Sequence, residues 1–254
     1  MILLLDAGNT RLKWGIEHAG QRLAGGALFH DEIDRLPEHL SEHLSHAQPS
    51  HARFSRILGA NVAGLALAQR LTDTVQAFGP APEWLVPSAA CAGVRNGYTR
   101  PEQLGADRWA ALIGARAVHR GPALVVMAGT ATTIDVLTHD GLFAGGLIVP
   151  GEHLMRDALA RHTAQLGLST SRYAPTPPTN TADAIASGCR VAQLGAIEHM
   201  FARFTAPDSA HGDALCLLSG GDAEQLEAAL AIPCRRIDDL VLLGLSHIAA
   251  LPDY

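Results

Sequence analysis

An α/β protein built from two related halves is the fold the sequence predicts, and three observations predict it. Short apolar runs alternate with longer stretches of helical periodicity, as strands and helices alternate in α/β proteins. A pattern of apolar run, glycine turn and second apolar run opens the chain and returns near its middle, Gly8 aligning with Gly129, Ala7 with Ala128 and Asn9 with Thr130. The length, 254 residues, lies where single cores stop growing and chains divide. The two halves are expected at 1–115 and 116–254.

Ile2 to Leu5 reads as a buried strand, Asp6 to Arg11 as a turn and Leu12 to Ile16 as the returning strand of a hairpin. Leu36 to His46 and Asn61 to Phe78 carry helical patterns, and Gly79 to Gly105, with four prolines at 80, 82, 87 and 101, reads as loop. Asp107 to His119 is an alanine-rich helix. The second hairpin runs from Leu124 through Gly129 and Thr130 to Leu137, with a further turn at His139-Asp140-Gly141. A helix from about Glu152 to Leu166, a proline-rich loop from Tyr173 to Pro178 and a helix from about Asp183 to Phe204 follow. A strand Ala214 to Leu218, leading into Ser219-Gly220-Gly221-Asp222, and a helix Leu240 to Ala249 complete the reading.

Composition removes several classes of function. A formal charge of -6 lacks the basic face a sequence-independent nucleic-acid binder needs, so small molecules are the expected partners. The four cysteines, Cys91, Cys189, Cys216 and Cys234, have neither zinc-site spacing nor the density of a disulfide framework, which suits a reducing compartment. No apolar stretch approaches the about 18 residues of a membrane span, and the opening run is too short for a signal-peptide core. A cytoplasmic protein is expected.

The chemistry concentrates in two places. The bend Asp6-Ala7-Gly8-Asn9-Thr10-Arg11 can present backbone N–H groups to a phosphate while its carboxylate holds hydrated Mg²⁺, although the same residues also suit an ordinary hairpin turn. Gly105-Ala106-Asp107-Arg108 sets an acid beside an arginine at a helix start, where an Asp can accept a hydroxyl proton and an Arg can grip a carboxylate; helix capping is the plainer alternative. Neither a G-x-x-x-x-G-K-[ST] loop nor a strand-linked G-x-G-x-x-G occurs, so the P-loop and dinucleotide folds lack their phosphate cradles.

Five ordered motifs then resemble one family. Asp6 to Thr10, Tyr98 with Gly105 to Ala110, Gly129 to Asp135, Gly145 to Gly151 and Ser219-Gly220-Gly221 are similar, in order and approximate spacing, to the type III pantothenate kinases. The resemblance implies a duplicated actin/hexokinase-like (ribonuclease H-like) fold with a nucleotide cleft between the halves, a homodimer, and phosphorylation of pantothenate by ATP and Mg²⁺ as the first step toward coenzyme A. It further implies that Asp6, Ala7, Gly8, Asn9, Thr10, Arg11, Leu12 and Lys13 contact ATP and its Mg²⁺, with Thr130 on the phosphates and Gly220 and Gly221 at the nucleoside. Tyr98, Gly105, Ala106, Asp107 and Arg108 would hold pantothenate, Asp107 serving as proton acceptor, and Thr181 would reach it near the dimer interface; a helix N-cap is the plainer reading of Thr181, and the two roles are compatible.

Two features stand apart. Many members of the family carry an aspartate near a bound K⁺ or NH₄⁺ two residues before the Gly-Thr-Ala turn, where this chain has Met127, a poor ligand for a hard cation. His39, His43 and His46 share a helix face at a spacing that could bind Zn²⁺, but no fourth ligand is evident and a solvated face is the expectation. A nucleotide-binding regulator without turnover, or a kinase for another hydroxy acid, would share the fold; intact Asp6, Asp107 and Arg108 speak for the enzyme.

Overall fold

The structure is a computed structural model that describes residues 1–45, 53–163, 171, 173–174, 176–206 and 211–251. It divides into two compact units, Met1–Val118 with the segment from Leu240, and His119–Asp239. The sequence reading placed the last helix in the second half; its contacts group it with the first.

In the first unit, β1 (Ile2–Ala7), β2 (Arg11–His18) and β3 (Gln21–Phe29) form an antiparallel meander, and β4 (Arg56–Asn61) and β5 (Glu83–Trp84) add in parallel, giving the order β3-β2-β1-β4-β5. Asp6 therefore lies within a strand, and the turn narrows to residues 8–10. Two helices, α1 (Leu36–Ser45) and α2 (Leu65–Val75), cover one face, where Leu3, Leu5, Ala7, Leu12 and Trp14 join Leu36, Leu40, Leu71 and Val75 in one core. The pleat turns Leu4 and Asp6 to the opposite face, on which α3 (Ala106–Val118) and α7 (Leu240–Ala249) pack against β1 and β4. Asn61, read as helical, ends β4, and the loop of residues 79–105 contains β5 and a small hairpin, β6 (Ala90–Cys91) and β7 (Val94–Asn96).

The second unit repeats this order. β8 (Ala123–Ala128), β9 (Ala131–Leu137) and β10 (Leu142–Pro150) form the meander, and β11 (Leu215–Ser219) and β12 (Cys234–Arg236) add in parallel beyond β8, so the strands run β12-β11-β8-β9-β10. Matching strand orders and directions establish the duplication that the glycine turns suggested. Helix α5 (Thr181–Phe204) packs Leu194, Ile197, Phe201 and Phe204 on Leu124, Val126, Cys216 and Leu218. A buried ion network ties it to α4 (Glu152–His162) and α6 (Ala223–Glu227): Arg190 Nε donates to Glu152 Oε2 at 2.5 Å, Arg156 also donates to Glu152, and Arg190 Nη1 donates to the Gln225 carbonyl at 3.2 Å.

His39 and His43 flank the Trp14 ring, the former stacked with centroids 5.9 Å apart, and His46 lies outside the described residues. Among the described residues, no cluster of three or more His, Cys, Asp or Glu could hold a metal, and no helix is long and apolar enough to cross a membrane.

Candidate active site

In the first unit the residues expected at the nucleotide occupy the end of β1 and the start of β2. Gly8 N–H donates to the Arg11 carbonyl at 3.1 Å, closing a turn whose Asn9, Thr10 and Arg11 are exposed. Asp6 and Lys13 are register partners, so a carboxylate and an ammonium group stand opposite each other on one face. Ala7 and Leu12 are fully buried in the core, so only their backbone can meet a ligand.

Asp107 and Arg108 sit in the first turn of α3, where the helix dipole favours an anion. The Asp107 carboxylate turns back on its own helix, Oδ1 accepting the Arg108 N–H at 2.7 Å. Burial pushes its carboxyl above the ordinary Asp range, against the opposing pull of that N–H and of the Arg108 charge. A Cβ on Gly105 would come within 2.5 Å of Asp107 Oδ1, which explains the glycine before the acid. Arg108 is almost wholly buried and donates from Nη1 to Tyr98 Oη at 3.1 Å. Tyr98 is placed in turn by Asn96, whose Oδ1 accepts the Tyr98 N–H at 3.1 Å and whose Nδ2 donates to the Pro101 carbonyl. Ala106 is buried and offers backbone alone.

The sequence reading missed one segment here. Val62 N–H donates to the Ala7 carbonyl at 3.1 Å, and Val62 lies against Gly105, so the loop after β4 links the β1 turn to the start of α3. Asn61 shapes that loop, donating to the Gly64 carbonyl and accepting the Ala63 N–H. The apolar run Ile57 to Ala60, followed by a polar residue, was the available signal.

In the second unit, Thr130, Gly151, Gly220 and Gly221 gather around the turn after β8. Gly151 N–H donates to the Thr130 carbonyl at 2.9 Å, and a Cβ there would strike the Gly129 carbonyl. Gly220 has φ 103° and sits against the Ala128 carbonyl, so both conformation and space demand glycine. Asp222 N–H donates to the same Ala128 carbonyl, fixing the Gly220-Gly221 bend beside the turn. Thr181 is the first residue of α5, and Asn180 is the N-cap, its side chain accepting the Asp183 N–H at 3.0 Å; the capping alternative for Thr181 is therefore replaced. Thr181 lines an apolar groove of about 760 Å³ between α4 and α5, with Pro150, Leu154, Leu159, Ile185 and Cys189.

The family model described as type III pantothenate kinase matches residues 2–203. This chain belongs to the type III pantothenate kinase family. A type III pantothenate kinase of Aromatoleum aromaticum is 52% identical over 249 residues, covering 98% of each chain. Another, of Azoarcus sp., is 47% identical over 252 residues, covering 98% of this chain and 91% of its own. Among solved structures, the activator of the 2-hydroxyisocaproyl-CoA dehydratase from Clostridium difficile is 11% identical with a TM-score of 0.53, covering 98% of this chain and 92% of its own. That likeness concerns the fold alone. The chain has the duplicated actin/hexokinase-like architecture expected from its motifs.

Proposed function

We propose that this chain transfers the γ-phosphoryl group of ATP to the primary hydroxyl of pantothenate, giving 4′-phosphopantothenate for coenzyme A synthesis. The observation that carries the reading is the start of α3, which joins a half-buried carboxylate of raised proton affinity to a buried arginine braced by Tyr98. Arg108 and Tyr98 hold the substrate carboxylate, which aligns the acceptor hydroxyl; Asp107 takes the hydroxyl proton as the bond to the γ-phosphorus forms and the bond to the bridging oxygen breaks, releasing ADP. In the first unit the turn from Asp6 to Lys13 receives phosphate; in the second, Thr130 offers a hydroxyl to phosphate, and Gly220 and Gly221 leave room for a nucleoside. Asp6, a carboxylate at a strand end beside a glycine turn, would hold hydrated Mg²⁺, which supplies neutralisation of the phosphate charge. Incubating purified protein with Mg²⁺, ATP and a panel of hydroxy acids, then weighing the products, tests the reading. Phosphopantothenate as the main product supports it; turnover of another acid alone, or of none, refutes it.

The active form is a homodimer in the cytoplasm. Support comes from the groove beside Thr181 and from exposed apolar side chains around it, Leu154, Leu159 and Val191, which a second copy would cover. Val191→Glu should yield monomers by sedimentation and lower activity with them; a fully active monomer would contradict the dimer-borne pocket. The free cysteines accord with a reducing compartment.

Monovalent cations should matter less here than in relatives with an aspartate at this position. Met127 pairs in register with Thr133 and Ser219, so the row offers a thioether and hydroxyls where a hard cation prefers carboxylate and carbonyl oxygen, which leaves backbone carbonyls or Asp135 as the remaining ligands. Activity in sodium and Tris buffers should change little as K⁺ is added, and Met127→Asp should create a K⁺ response. An absolute, saturable K⁺ requirement in the wild type would end this expectation.

A further inference from the structure

His30 follows β3 in a short 3-10 helix, His30–Arg35, and its Nε2 lies 2.9 Å from the Gly8 carbonyl oxygen. A carbonyl only accepts, so Nε2 carries the proton and the tautomer follows from the partner. The His30 backbone is itself anchored: Arg70 donates from Nη1 to the His30 carbonyl at 2.7 Å and from Nη2 to Asp34 Oδ1 at 2.9 Å. The preceding residue holds the far end of the turn, for the Phe29 ring carries the Arg11 guanidinium at 4.4 Å, and Phe29 N–H donates to Glu32 Oε2 at 3.0 Å. Two consecutive residues thus buttress the turn at both ends, Gly8 at its start and Arg11 at its close.

We propose that His30 is a positioning residue for the nucleotide phosphates. In a trans peptide the C=O and the following N–H point in opposite directions. Holding the Gly8 oxygen toward His30 therefore aims the Asn9 N–H away from the buttress, at a residue that is exposed. With glycine on one side, this peptide resists rotation weakly by itself, so an external bond is needed to keep the donor aimed. The inference rests on the nucleotide reading of this turn and adds to it the residue that orients the cradle without touching the ligand.

The test uses the full-length protein with His30→Ala and His30→Gln, Mg-ATP binding by calorimetry, steady-state kinetics in each substrate, and thermal melting. Losing one orienting hydrogen bond should weaken Mg-ATP binding and raise KM for ATP about five- to tenfold, with KM for pantothenate unchanged. His30→Gln should restore most of the affinity, since its amide Nε2 can donate from nearly the same position. Unaltered ATP binding in His30→Ala overturns the proposal. So does an equal rise in both KM values with a lowered melting temperature in both variants, which would mark a merely structural role. A wild type that binds no Mg-ATP removes the nucleotide reading itself, and the proposal with it.

Discussion

Asp107→Asn should bind Mg-ATP almost as the wild type does and lose about 10²- to 10⁴-fold in kcat, because the amide keeps the shape but cannot take the hydroxyl proton. Burial raises the Asp107 carboxyl above its ordinary range, so the wild-type rate should fall on the acid side at a higher pH than an exposed Asp would give. The same shift has a consequence for stability. The native carboxyl binds its proton more tightly than the unfolded one, so the ionised group opposes folding above its native pKa, and this opposition disappears below its unfolded pKa. Asp107→Asn should accordingly melt higher than wild type at neutral pH, the advantage fading in acid. Near wild-type turnover would remove Asp107 from proton transfer, whatever the melting curves show.

Gly244→Ala should lower stability by about 3 kcal/mol or more, at the upper end of overpacking effects. Helices α3 and α7 touch through glycine: a Cβ at Gly244 would enter the Ala110 carbonyl, and one at Gly114 would strike the Leu240 carbonyl and stand 3.0 Å from Gly244 N. Because α3 presents Asp107 and Arg108 at its first turn, displacing it should also reduce activity at temperatures where the protein stays folded. Gly195→Ala is the comparison. Gly195 is exposed in α5 with nothing within 4 Å of a built Cβ, so alanine there should stabilise by about 0.5 to 1 kcal/mol through helix propensity. Urea midpoints measure both; a neutral Gly244→Ala would mean that the helices need no such close approach.

The features legible in the sequence were those whose physics is local. Apolar runs around Gly8 and Gly129 marked the paired hairpins, and the acid and arginine after Gly105 marked the start of α3. Strand β3 was missed because it is an edge strand, largely exposed, with Gly25 and Gly26 interrupting any alternation. Strand β4 was missed because four buried residues, Ile57 to Ala60, carry no period that separates them from the helix that follows.

By itself the sequence determined the α/β class, the duplication, the family and the two residue sets on which the kinase reading depends, since turn chemistry, periodicity and motif order are written along the chain. Tertiary structure alone decided that Leu12 and Ala7 turn into the core while Asp6 and Lys13 stand opposite each other, that Asn180 and not Thr181 caps α5, that α7 packs on α3, and that His30 reaches Gly8. Each of these depends on groups far apart in sequence or on a side-chain direction, and only packing brings such groups together and selects one geometry from several that local preference allows.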